Sequence, residues 1–108
     1  MPDVLLGEFE QLVLMTLLRL GDDAYGAAVR TALADRTGRD VALGAVYTTL
    51  DRLETKRLVR SRIGEPSARR GGRRKRHFVM TAAGETALQA AWKRIKLAAE
   101  GLEPLLES

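Results

Sequence analysis

Residues 8 to 20, EFEQLVLMTLLRL, contain no glycine or proline and carry apolar side chains at 9, 12, 13, 14, 15, 17, 18 and 20. That exceeds one helical face. A helix apolar nearly all round is buried on several sides, and in a small protein this means a partner chain as well as its own core. Gly21-Asp22-Asp23 interrupts the helix, and the aspartate pair suits the cap of the next one. Tyr25, Ala28, Val29, Ala32 and Leu33, spaced by three and four, predict a second helix from about Ala24 to Arg36, ended by Thr37-Gly38-Arg39. A third helix, about Leu43 to Arg57, has Val46, Leu50 and Leu53 as its inner stripe, with Leu58 just beyond its end.

From Leu58 the period changes: Val59 and Ile63 bracket Arg60-Ser61-Arg62, and HFVMT later reads as a short strand, so the two runs predict a β-hairpin. The segment between them, GEPSARRGGRRKR, has the composition of an exposed loop. Thr81 then precedes an alanine-rich run and suits its N-cap. Apolar residues at 88, 92, 95, 99, 102 and 106, flanked by 91, 98 and 105, form a broad heptad-like seam, with Gly101 and Pro104 expected to weaken or bend the helix. A seam this wide needs a partner, and the first helix of a second copy across a two-fold axis supplies one. Phe9, Leu12, Leu88, Trp92, Ile95, Ala99 and Leu102 are the expected dimer contacts. The division is then a mainly α unit with a small β-hairpin over residues 1–81 and a dimerisation helix over 82–108.

Composition narrows the choice. At 108 residues and 45% hydrophobic content the chain fits one domain of marginal stability, which a shared core in a homodimer would relieve. Cysteine is absent, which excludes disulfides and thiolate chemistry. The first residues lack a secretory pattern, and Leu12–Leu20 is too short to span a bilayer, so a cytoplasmic protein without membrane contact is expected. The net charge of +4 hides an asymmetry: eleven Lys or Arg stand against two acids between Arg52 and Arg76, and seven bases against twelve acids elsewhere. A focused positive patch beside an acidic remainder suits a polyanion.

Helix, helix, turn, helix and basic hairpin is the order of a winged helix-turn-helix, in which the third helix enters the major groove and the hairpin loop meets phosphates or the minor groove. With Val46, Leu50 and Leu53 inward, Gly44, Thr48, Asp51, Arg52 and Thr55 lie opposite. Ala45, Tyr47 and Thr48 are the base-edge candidates, and Arg52 and Lys56 the phosphate contacts. Tyr47 borders the inner arc and equally fits packing against the hairpin. Asp51 implies that part of this arc stays off DNA. In the loop, Arg69, Arg70, Arg73, Arg74 and Lys75 are expected on phosphates, and two-fold symmetry predicts an inverted-repeat site in double-stranded DNA. Two other classes stay open: an RNA-binding or protein-adaptor winged helix, and a dimer that sequesters a small molecule. Enzyme chemistry has little footing. His77 is the one histidine, no carboxylate pair sits beside a nucleophile, and the loop glycines lack the context of a phosphate-binding loop, so no catalytic residue, cofactor or metal is expected.

LGEFEQLVLMTLLRLGDDAYGAAVR, LGAVYTTLDRLETKRLV and GGRRKRHFVMTAAGETAL, in this order over residues 6 to 90, resemble the PadR family of transcriptional regulators. The resemblance implies a winged-helix dimer joined through a C-terminal helix, repression of nearby genes, and release by an effector. It carries the family's DNA-contacting Tyr and Thr onto Tyr47 and Thr48. The single C-terminal helix resembles the family's short subgroup, some members of which stack planar hydrophobic drugs on a Trp at the dimer interface. Trp92 is the matching position, although a Trp on a seam is also an ordinary core residue. One departure is Arg57, where the family has Gly: a side chain in a left-handed helix cap costs about 1 kcal/mol.

Overall fold

A computed structural model describes residues 5–64 and 75–108. Helix α1 spans Glu8–Leu20 and continues into a 3-10 turn at Gly21–Asp23. Helices α2 (Gly26–Thr37) and α3 (Leu43–Thr55) follow, then strands β1 (Val59–Ile63) and β2 (Arg76–Met80), helix α4 (Ala82–Ala99) and a short α5 (Glu103–Leu106). The strands pair antiparallel from Val59 opposite Met80 to Ile63 opposite Arg76. This is the winged-helix architecture that the order of elements predicts, mainly helical with one small hairpin.

The inner stripes meet in one core. Val13, Leu14 and Leu17 of α1, Val29 and Leu33 of α2, and Val46, Leu50 and Leu53 of α3 are buried together with Leu58, Val59, Phe78 and Leu88. No helix among the described residues is long and apolar enough to cross a membrane.

Three local expectations need correction. Asp22 and Asp23 do not cap α2: they lie in the 3-10 turn, and the N-cap is Tyr25 without a side-chain hydrogen bond. The reason lies in the sheet. Ala24 and Tyr25 are drawn out of helical geometry against β2, with Tyr25 in an isolated bridge to His77 and the Phe78 N–H donating to the Ala24 carbonyl over 2.8 Å. Helix α3 stops at Thr55, two residues short of the expected end. The Arg57 N–H donates to the Glu54 carbonyl and the Leu58 N–H to Leu53, each over 2.9 Å, closing α3 in the paired geometry that requires a left-handed residue at Arg57, where φ is 63°. Finally, residues 82–108 are not one helix. Gly101 takes φ 86°, α5 begins at Glu103 with Pro104 in its first turn, and Leu102 therefore stands outside α4, beyond the expected bend.

Thr81 caps α4 as expected, its Oγ1 accepting the Gly84 N–H over 3.1 Å. Gly84 is required by a close approach, because a Cβ there would lie 2.1 Å from the Leu58 carbonyl oxygen. The start of α4 thus rests on the turn between α3 and β1. From Trp92 onward every residue except Ala99 is exposed.

Candidate nucleic-acid interface

Burial alternates along α3 as its amphipathic pattern dictates. Val46, Thr49, Leu50 and Leu53 point inward, while Gly44, Ala45, Thr48, Asp51, Arg52 and Thr55 are exposed. Ala45, Thr48 and Arg52 therefore share the solvent-facing arc. The approach to α3 is braced from α2, where Arg30 Nε donates to the Val41 carbonyl over 2.8 Å.

Tyr47 stands apart from that arc. It is half-buried against the core, its ring centroid 6.4 Å from that of Phe78. A Cβ on Gly26 would lie 2.3 Å from Tyr47 Cζ, so the ring lies directly over the first turn of α2. The packing reading of Tyr47 describes its position here, half-buried between α2 and Phe78.

Lys56 is engaged as well. Its Nζ meets Glu10 Oε2 at 2.8 Å, and Glu10 Oε1 accepts the Gly7 N–H at 2.9 Å, which also closes the first turn of α1. Burial pushes the Glu10 carboxyl up, but the Lys56 hydrogen bond, the Gly7 N–H and the charges of Lys56 and Arg52 outweigh it, holding the group below the usual glutamate range. A phosphate at Lys56 would compete with this pair.

Arg76, the last residue of the basic run, is engaged with α3. Its Nη1 donates to Asp51 Oδ1 over 2.9 Å, its Nη2 donates to Glu54 Oε1, and its guanidinium lies 4.8 Å from the Phe78 ring centre. Glu54 is held from β1 too, its Oε2 accepting the Ser61 Oγ–H at 2.7 Å and the Ser61 N–H at 3.1 Å. The Ser61 hydroxyl, followed by the Arg76 guanidinium, keeps the Glu54 carboxyl below its ordinary range despite some desolvation. The only sequence signal was the i, i+3 spacing of Asp51 and Glu54 on one face of α3.

On the hairpin, Arg60 and Arg62 are exposed, and Lys75 Nζ sits 4.0 Å from the Tyr25 ring centre. Arg69, Arg70, Arg73 and Arg74 lie outside the described residues. Among the seam residues, Leu88 is buried, Phe9, Leu12 and Ala99 are half-buried, and Trp92, Ile95 and Leu102 are exposed at 53%, 47% and 48%. Trp92, Met15, Leu88 and Gln89 line an open, almost wholly apolar groove of about 310 Å³ between α1 and α4. No cluster of potential metal ligands occurs among the described residues.

Comparison with known proteins agrees with this architecture. No curated protein is significantly similar in sequence. Among solved structures, a PadR family transcription regulator from Clostridium difficile matches with a TM-score of 0.70 at 20% identity, over 94% of this chain and 100% of that one. A PadR-like transcriptional regulator from Bacillus cereus matches with a TM-score of 0.73 at 19% identity, over 93% and 92%. One from Eggerthella lenta matches with a TM-score of 0.69 at 26% identity, over 94% and 88%. The sequence pattern of the transcriptional regulator PadR-like family matches residues 13–90, from the middle of α1 through the hairpin into α4. That span contains the whole helix-turn-helix and wing, and the chain belongs to the PadR-like family of transcriptional regulators, which are not enzymes.

Proposed function

We propose that the protein is a homodimeric regulator that binds an inverted repeat in double-stranded DNA through α3 and the wing, acts in the cytoplasm as a repressor, and is released by a small-molecule effector. The observation that carries the DNA reading is the exposed arc of Ala45, Thr48 and Arg52 on α3. Ala45, Thr48 and the half-buried Tyr47 read bases. Arg52, Lys75 and the loop residues Arg69, Arg70, Arg73 and Arg74 bind phosphate, joined by Lys56 when it leaves Glu10.

RNA recognition by stacking is disfavoured by the same surface. Phe78 is 2% exposed, Tyr47 is packed on Gly26, and the ring of Tyr25 is covered by Lys75. Two-fold pairing is supported by the row of exposed apolar residues on α4 and α5, which a lone chain would leave in water. The apolar groove at Trp92 supports a planar hydrophobic effector stacked on the indole.

The test is a titration of the purified protein against duplex DNA from immediately upstream of its own gene, at two salt concentrations and with excess nonspecific DNA. Tight, competitor-resistant binding with a two-fold footprint is expected. Binding that disappears with competitor or salt would sink the reading. Trp92→Ala should retain DNA binding while losing the response to planar hydrophobic compounds. Loss of DNA binding in that variant, with the dimer intact, would contradict the separation of the two sites.

A further inference from the structure

We propose that Arg76 is a positioning residue for DNA recognition: its bridge to Asp51 and Glu54 cancels the acidic edge of α3 and locks the wing to that helix. This rests on the DNA-binding reading above. Helix α3 carries two carboxylates, Asp51 and Glu54, against one guanidinium, Arg52, so by itself it has the wrong sign for a groove lined with phosphates. Asp51 is the more exposed of the two, on the same arc as Thr48, Arg52 and Thr55.

Arg76 corrects both the charge and the geometry. Its planar fork reaches one carboxylate with each terminal nitrogen, a task a lysine ammonium cannot perform in the same way. Packing on Phe78 orients the guanidinium, and Phe78 is in turn anchored in the core and hydrogen-bonded to Ala24. Because Glu54 also accepts both Ser61 donors, one acidic pair on α3 is tied to β1 and β2 together. The helix and wing thereby keep one relative orientation, which simultaneous contact with a groove and its flanking phosphates demands. With both terminal nitrogens committed to carboxylates, Arg76 acts through α3 and the wing instead of holding a phosphate itself.

The experiment compares wild type, Arg76→Gln, Asp51→Asn and the double variant. Binding is measured to a duplex that the wild-type protein selects from a random-sequence pool and to mixed-sequence genomic DNA, across a salt series, with thermal unfolding in parallel. Arg76→Gln should weaken binding to the selected duplex by about tenfold with an unchanged salt slope, and adding Asp51→Asn should recover most of that loss. Asp51→Asn alone should tighten binding to both DNAs. Arg76→Lys, which keeps the charge without the fork, should fall between wild type and Arg76→Gln. Unchanged affinity in Arg76→Gln would overturn the proposal. So would a salt slope reduced by about one with no recovery in the double variant, the signature of a direct phosphate contact. A loss that follows the unfolding temperature and persists in the double variant would assign Arg76 to folding alone. Wild-type protein that selects no duplex would overturn the parent reading, and this one with it.

Discussion

The Thr81 hydroxyl donates to the carbonyl oxygen of Arg57 over 2.8 Å. Thr81 Oγ1 in turn accepts the Gly84 N–H at the start of α4, and the Thr81 N–H donates to the Leu58 carbonyl at 3.0 Å. One residue thus satisfies orphan groups beyond the end of α3 and at the beginning of α4, joining the helix proposed to read DNA to the helix proposed to pair the two subunits. Thr81→Ala should cost about 1 to 2 kcal/mol, and Thr81→Ser much less, because serine retains the oxygen. Denaturant unfolding of both variants checks this, and equal losses would mean that the methyl group matters more than the hydroxyl.

Arg57 is the only described residue other than glycine with a positive φ. Arg57→Gly should raise stability by about 1 kcal/mol, because glycine reaches the left-handed region without the steric penalty of a Cβ. In a domain of this size that corresponds to an unfolding temperature higher by about 4 °C. A lower unfolding temperature would mean that the Arg57 side chain contributes more than its backbone strain costs.

Gly26 and Tyr47 form a close-packed pair. Although alanine is the better helix former, Gly26→Ala should destabilise by about 1 to 3 kcal/mol, since its Cβ would stand within 2.8 Å of two ring carbons and the phenolic oxygen of Tyr47. Adding Tyr47→Ala should remove the clash, so the double variant should lose less than the sum of the single losses. Strict additivity would show that the ring moves aside at no cost.

The folded protein holds Glu10 and Glu54 below the ordinary glutamate range, so each is easier to ionise folded than unfolded. Their contribution is complete above the unfolded value of about 4.3 and is lost as the pH falls through the lower folded values. Stability should therefore decline below about pH 4.3, and Glu10→Gln should make that decline shallower while costing about 1 kcal/mol at pH 7. Urea unfolding at pH 7, 4.5 and 3 measures both effects. An acid profile identical to wild type would remove Glu10 from the linkage.

Much of the fold was written locally. The three- and four-residue spacing of Val46, Leu50 and Leu53, the change of period after Leu58, the Thr81 cap and the Gly101 break each depend on neighbours within one or two turns, where backbone stereochemistry leaves few choices. By itself the sequence therefore determined the order of helices and hairpin, the charge asymmetry of the chain and the exposed positions of Ala45, Thr48 and Arg52. What the tertiary structure alone decided were the partners of groups that many positions could satisfy. Ala24-Tyr25 bridged to β2 instead of forming a helical turn because β2 offered it a hydrogen bond, Lys56 met Glu10 across 46 residues, and Arg76 met Asp51 and Glu54. Charge has no period to read, and which cation reaches which carboxylate depends on how separate elements pack.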